Sequence, residues 1–146
     1  MSVAETIKIS DAEWEIMRVI WHKEAVDATT IEALLGPAMG WKLATVKTLL
    51  GRLVKKNILT TTQVGKKFIY TSRVTEAETV RSEAENLLTR ICATKAGQTI
   101  AEMLETVELT AEDLLKIKQV LAKKQPTTTI VCNCLPGQCH CQEEFK

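Results

Sequence analysis

No stretch of this sequence is apolar for anything near the ~20 residues that cross a bilayer, and its longest apolar runs are only a few residues. The opening MSVAETIKIS lacks the apolar core of a secretion signal. The chain is therefore expected in the cytoplasm, with no membrane partner. Histidine is scarce, with only His22 and His140, and no motif assembles a nucleophile, a base and an orienting acid, so an enzyme is not expected. His22 follows Trp21 at a helix end, a place for a structural or solvated residue. A length of 146 residues leaves room for one domain or two small ones and excludes a large multidomain enzyme. Acidic residues are missing from 41–73, a segment with eight Lys and Arg, whereas 74–124 holds nine acidic and seven basic residues. In a chain of net charge +1, such a basic block points to a partner that carries phosphates.

In bulk the composition is that of an ordinary globular chain, with 45% apolar and 25% charged residues. The five cysteines are unevenly placed: Cys132, Cys134, Cys139 and Cys141 crowd into the tail, and Cys92 stands alone. A disulfide framework would spread them. In a reducing compartment the clustered four are better explained as metal ligands or redox thiols.

Ser10-Asp11-Ala12-Glu13 fits a capping box, and Trp14, Met17 and Trp21, with Ile16 and Ile20, recur at helical spacing through about Trp21. Asp27 or Thr29 caps a short second helix over 30–35, ended by Gly36-Pro37 and closed by Gly40. A third helix over 44–56 places Val46, Leu49, Leu50, Leu53 and Val54 on one apolar face. Thr48, Arg52 and Lys55 point away from that stripe, with Ala44 and Thr45 near the same line. Small and polar residues there suit a DNA major groove, where Arg donates to guanine and Thr methyls meet thymine methyls. Lys42, Lys47 and Lys56 flank this surface within reach of phosphates. After Asn57, the segments 58–64 and 67–71 are rich in β-branched and aromatic residues and are separated by Gly65-Lys66, the pattern of a hairpin. Three helices and a basic-tipped hairpin give a winged helix-turn-helix, in which Lys66 and Lys67 touch the DNA backbone. An amphipathic helix with a Lys/Arg outer face is more often simply solvated; the order and spacing of the elements favour the DNA reader.

The stretch Ser10-Asp11-Ala12-Glu13-Trp14-Glu15-Ile16-Met17 with Trp21, and the string from Thr45 through Val46-Lys47-Thr48-Leu49-Leu50-Gly51-Arg52-Leu53-Val54-Lys55 to Lys56, resemble the penicillinase-repressor (BlaI/MecI) family of winged-helix repressors. The resemblance spans roughly residues 5–122. It implies a homodimer that binds double-stranded, palindromic operator DNA. One departure is Asn57, where the family often has glycine; Asn also accepts left-handed geometry.

In the middle of the chain, Thr75-Glu76-Ala77-Glu78 forms a second capping box, followed by Val80, Ala84, Leu87 and Ile91 on one seam. A helix over 98–106 carries Ile100, Met103 and Leu104, and Thr110 caps a last helix with Leu114, Ile117, Val120 and Leu121. These short helices have little core of their own, which favours burial against an identical chain; packing on the winged helix of the same chain is the alternative. Cys92 fits a small core residue. The expected architecture is mainly α with a small β-hairpin: a winged helix over 1–73, a helical dimerisation segment over 74–124 and a Cys-rich metal-binding tail over 125–146.

The tail spacing is C-x-C-x4-C-x-C, and Pro136-Gly137 can turn the chain so that four sulfurs face inward. Four thiolates suit Zn(II), and soft Cu(I) still better. Structural zinc motifs favour two to four residues between paired cysteines, so the single-residue separation points towards Cu(I), whose adjacent ions close sulfurs can bridge. His140, between two ligating cysteines, suits an outward-facing residue. Joined to the repressor-like body, the motif resembles the copper-responsive, CopY-type branch of the family. That resemblance implies repression by a zinc-loaded or copper-free dimer and release by Cu(I), which a copper chaperone would deliver. Two other readings stand beside it: a family repressor relieved by proteolysis, which does not need the tail cysteines, and a metallothionein-like copper buffer or transfer protein, which does not need 1–73.

Overall fold

The computed structural model of the chain describes residues 8–141. Residues 1–7, which include the start of the resemblance, and 142–146 of the tail lie outside the described residues. The chain divides into two compact units, Met1–Glu83 and Ala84–Lys146.

In the first unit the order is α1 (Asp11–Lys23), β1 (Ala25–Asp27), α2 (Ala28–Met39), α3 (Leu43–Lys55), β2 (Leu59–Val64) and β3 (Lys67–Ser72), with α4 (Glu76–Thr89) beginning after it. The capping box opens α1 as expected: the Glu13 amide donates to Ser10 Oγ at 3.1 Å and the Ser10 amide to Glu13 Oε1 at 2.9 Å. Ile16, Met17 and Ile20 of α1, Ile31 of α2, and Val46, Leu49, Leu50 and Leu53 of α3 meet Val26, Ile58 and Leu59 in one buried core. Trp14 and Trp21 stack edge to face at 5.7 Å, and the Trp21 indole donates to the Val74 carbonyl at 3.1 Å.

The second helix is longer than expected, because α2 continues through Gly36-Pro37 to Met39. Pro37 lies in its last turn, where the missing N–H takes a donor only from the Ala33 carbonyl, so the helix tolerates it. The stop comes instead at Gly40, left-handed at φ 70°, whose amide donates to Gly36 O at 2.8 Å. A Cβ at Gly36 would lie 3.0 Å from the Trp41 carbonyl, so glycine lets the chain after α2 approach closely without displacing it. The end of α3 is a Schellman motif. Asn57 adopts φ 63°, and the amides of Ile58 and Asn57 donate to the carbonyls of Leu53 and Val54, each at 3.0 Å. Asn57 thus takes the left-handed conformation that glycine usually supplies, and buried Ile58 holds the exit.

The hairpin forms as expected, with Val64 paired to Lys67 and Gly65 at φ 65° in the first central position of the turn, as a II′ turn requires. The sheet has a third strand that periodicity did not reveal: β1 pairs antiparallel with β3, giving the order β1-β3-β2. At three residues, β1 is too short to show alternation; Val26 supplies its one buried side chain.

In the second unit, the helical turn Ala93–Lys95 leads into α5 (Ala96–Thr106) and then α6 (Ala111–Lys123). Thr110 caps α6 in a reciprocal box with Asp113, each bond 3.1 Å. Among the described residues, Cys92 is the only buried residue of this unit. Leu87, Ile100, Met103, Leu114, Leu115, Val120 and Leu121 all remain exposed. No helix among the described residues is long and apolar enough to cross a membrane.

Candidate nucleic-acid interface and metal centre

The core residues of α3 orient its opposite face. With Val46, Leu49, Leu50 and Leu53 buried, Ala44, Thr45, Lys47, Thr48, Arg52 and Lys55 are all exposed, as is Lys42 at the N-cap. Thr48 Oγ1 donates to the Ala44 carbonyl at 2.9 Å, which holds its side chain in one rotamer against the helix. Among the described residues, Lys42, Lys47, Arg52, Lys55 and the wing-tip Lys66 have no carboxylate within ion-pair distance. Their charges are available to an external anion. Lys67 is also exposed, but its ammonium lies 3.4 Å from Asp27 Oδ2. Asp27 caps α2 through Thr30, whose hydrogen bonds, followed by Lys67, hold its carboxyl below the usual range.

Lys56 departs from the expected phosphate-facing role. Its ammonium turns inward to Glu13 Oε1 and Oε2 at 2.7 and 3.0 Å and to the Lys8 carbonyl at 2.7 Å. The carboxylate it meets is 1% exposed. Burial raises the pKa of Glu13, but the Lys56 ammonium and the Ser10 hydrogen bonds outweigh it and hold the carboxyl below its ordinary value. Lys56 therefore neutralises a buried anion instead of a phosphate.

In the second unit, the tail folds back on the residues that follow α4. Asn133 Oδ1 accepts the Ala93 amide at 2.8 Å, and Gln138 closes the Pro136-Gly137 turn by accepting the Leu135 amide at 2.7 Å. Gly137 takes φ 86° there. The two Cys-x-Cys arms then face each other, with Cys132 Sγ 3.3 Å from Cys139 Sγ. Cys92 joins them, 3.6 Å from both Cys132 and Cys141. The sulfurs of Cys92, Cys132, Cys134 and Cys139 all lie within 4.8 Å of one another, and no disulfide joins any of the five cysteines. A tetrahedral ion with sulfur at about 2.3 Å needs sulfur-to-sulfur edges of about 3.8 Å, so this donor set fits a thiophilic cation with small adjustments.

The thiols differ in acidity. Hydrogen bonds from the Thr94 hydroxyl and amide, then from neighbouring thiols, bring Cys92 down to about 6. Cys139 is lowered by Cys132 and the Cys141 amide. Burial, then Cys139, pushes Cys134 up to about 11. At Cys132 the Cys134 amide favours the thiolate but is outweighed by Cys139 and burial, and at Cys141 the Thr94 hydroxyl is outweighed by Cys92 and Cys139, so both are raised. Cys92 and Cys139 are therefore the more acidic of the five, beside thiols that must lose protons before they can ligate.

The family model for the penicillinase repressor matches residues 9–123, most of the chain. The chain belongs to the penicillinase-repressor family. It is similar to an uncharacterized 16.5 kDa protein from the ptsI 3′ region of Latilactobacillus sakei, 38% identical over 141 residues that make up 95% of this chain and 97% of that protein. Among solved structures it is similar to the CopR repressor, at 46% identity over 47% of this chain and 99% of that one, with a TM-score of 0.41. It is likewise similar to the Bacillus licheniformis BlaI monomeric form in complex with the blaP half-operator, at 35% identity over 49% of this chain and 88% of that one, with a TM-score of 0.44.

The expected winged helix is that of the penicillinase-repressor family, and of the relatives above CopR is itself a repressor and BlaI is bound to a half-operator. The family match ends at residue 123, before the tail thiols. Of the four expected tail ligands, the structure brings Cys132, Cys134 and Cys139 together and sets Cys141 beside Cys92. Cys92 is buried, as a small core residue would be, yet its sulfur faces the tail thiols. Only its being a fifth cysteine hinted at this.

Proposed function

We propose that the chain is a copper-responsive transcriptional repressor, which holds a palindromic operator as a homodimer in its zinc-loaded or copper-free form and releases it when Cu(I) occupies the tail. The observation that carries this reading is the gathering of tail thiols, within 4.8 Å of one another for Cys132, Cys134 and Cys139, on a family repressor with an acid-free DNA face. A family repressor relieved by proteolysis has no use for such a cluster.

The winged helix of 1–73 supplies the DNA face. Thr45, Thr48, Arg52 and Lys55, with Ala44 at the close approach, meet base edges, while Lys42, Lys47, Lys66 and Lys67 meet phosphates. The helical segment of 74–124 supplies the dimer: its exposed Leu87, Leu114, Val120 and Leu121 are apolar surface that a second copy would cover. Two chains then present two recognition helices to two half-sites. In the tail of 125–146, Cys132, Cys134, Cys139 and Cys141 hold the metal. Thiolates gather into one tetrahedral set around Zn(II) but only two or three around each Cu(I), so the same ligands adopt different arrangements. Release follows if the zinc arrangement favours the operator-competent dimer more than the copper arrangement does. A copper chaperone is the natural donor of Cu(I).

The test is fluorescence anisotropy on labelled DNA from upstream of the chain's own gene, with protein prepared metal-free, with Zn(II) and with Cu(I), in reductant and without oxygen. Loss of DNA only on adding Cu(I) is expected. Binding that ignores Cu(I) overturns the switch and favours proteolytic relief, and a metal-binding chain with no DNA affinity under any condition favours the buffer.

A further inference from the structure

We propose that Cys92 is a ligand of the metal centre, completing its tetrahedral set with Cys132, Cys134 and Cys139, and that Cys141 is the additional thiol recruited when Cu(I) enters. This inference rests on the reading of the tail as a metal site and goes beyond the four-cysteine motif.

Three observations carry it. The four sulfurs that are mutually within 4.8 Å include that of Cys92, which lies forty residues before Cys132 in sequence. Cys92 is buried, so its sulfur is held in place, whereas the tail cysteines are only half-buried. The Asn133 side chain anchors the tail to the backbone of Ala93, immediately after Cys92, so the first Cys-x-Cys arm is docked on this site by more than its sulfurs. Cys141 stands 3.6 Å from Cys92, on the edge of the group.

The ligand count gives the arrangement a chemical meaning. One tetrahedral Zn(II) needs four thiolates, which Cys92, Cys132, Cys134 and Cys139 supply. Two Cu(I) ions, each with three sulfurs and sharing one, need five, which is this set with Cys141 added. Each thiol that ligates gives its proton to solvent, and no electron transfer is involved. Because Cys92 lies between α4 and α5, a change of ligand set there acts on the helical segment itself. A tail ligated only by its own four cysteines would have no such covalent foothold.

The wild-type full chain, isotopically labelled and loaded with cadmium-113 as a thiophilic stand-in for zinc, reports its ligands directly through proton–cadmium couplings to cysteine β-protons. Couplings to Cys92, Cys132, Cys134 and Cys139 are expected. Couplings to the four tail cysteines without Cys92 overturn this inference and leave the tail site standing; absence of cadmium binding overturns both. In parallel, Cys92→Ser should weaken competition for cadmium against a chelator by at least about tenfold, and Cys141→Ser by far less, since removing even an outer-shell partner costs about that much. The reverse order of the two variants refutes the assignment.

Discussion

Lys55 and Lys56 are adjacent in sequence and alike in chemistry, yet Lys55 is exposed without a carboxylate partner among the described residues whereas Lys56 pairs with buried Glu13, and replacing each by Met tests whether their roles differ. Lys56→Met leaves the Glu13 carboxylate, 1% exposed, without its ammonium at 2.7 Å. Removing one partner of a fully buried pair costs ~3–5 kcal/mol. The Lys56 side chain is 38% exposed, so solvent screens part of the attraction, and the Ser10 amide at 2.9 Å still solvates Glu13; about 2–3 kcal/mol is the expected loss. At roughly 4–8 °C per kcal/mol for a unit of this size, the melting temperature falls by on the order of 10 °C or more. The pH dependence carries the signature. In the wild type the Glu13 carboxyl is held below its ordinary value, so its contribution is full above the usual carboxylate range and is lost as pH falls through the lower folded value. In Lys56→Met burial dominates, the folded carboxyl rises above its ordinary value, and protonation rescues the variant; the gap between the two melting curves should close as pH drops below the usual carboxylate range. The assay is thermal unfolding followed by circular dichroism at neutral and acidic pH. DNA binding, measured well below both transitions, should keep the wild-type salt dependence. Lys55→Met should do the opposite, staying within about 0.5 kcal/mol of wild type in stability while losing affinity. A Lys56→Met chain as stable as wild type, whose salt slope drops by about one counterion, would show Lys56 to be a phosphate contact and refute the buried-pair argument.

On the DNA face, Lys66→Ala should weaken binding to every sequence and flatten its salt dependence, and Lys67→Ala should do so less, because Asp27 already shares that charge. Arg52→Ala should instead reduce discrimination between operator and random DNA by about 1–3 kcal/mol, read as a ratio of affinities in competition binding. Leu87→Asp puts a charge into the apolar surface of the helical segment and should shift sedimentation equilibrium towards monomer and weaken operator binding through loss of the second half-site; a wild type already monomeric at micromolar concentration with zinc would contradict this. Replacing Cys139 and Cys141 together by Ser should abolish Cu(I)-dependent release in the anisotropy titration while leaving metal-free operator binding intact.

The parts of this protein that were legible in its sequence are those in which the cause lies within a turn or two of its effect. The Ser10 and Thr110 caps, the apolar stripe of α3 and the Gly65-Lys66 turn each depend on residues three or four apart, and each stands where the pattern puts it. The extension of α2 past Pro37 is a local effect misjudged: proline weakens a helix through one missing hydrogen bond, and in a last turn capped by Gly40 that is not enough to end it. The exposed candidates on α3 followed from helical angle, and those on the wing from the Gly65-Lys66 turn between its strands.

What was not legible depends on groups far apart in the chain. β1 exists because β3 offers it a ladder more than forty residues later, and nothing in Ala25-Val26-Asp27 announces that pairing. Lys56 looked like a phosphate ligand because the acid that claims it, Glu13, belongs to another helix; the Schellman end of α3 carries the chain away at Asn57, and the ammonium meets the α1 capping box instead of solvent. Cys92 is the same case with greater consequence. Its spacing to Cys132 matches no metal motif, because the arms of a motif must be short enough for local geometry to close them, whereas here the tail returns over two intervening helices and is pinned by Asn133. With a buried cysteine beside α4 in the ligand set, an exchange of metal is tied to a change at that position, which gives the metal a direct route by which to bias the helical segment.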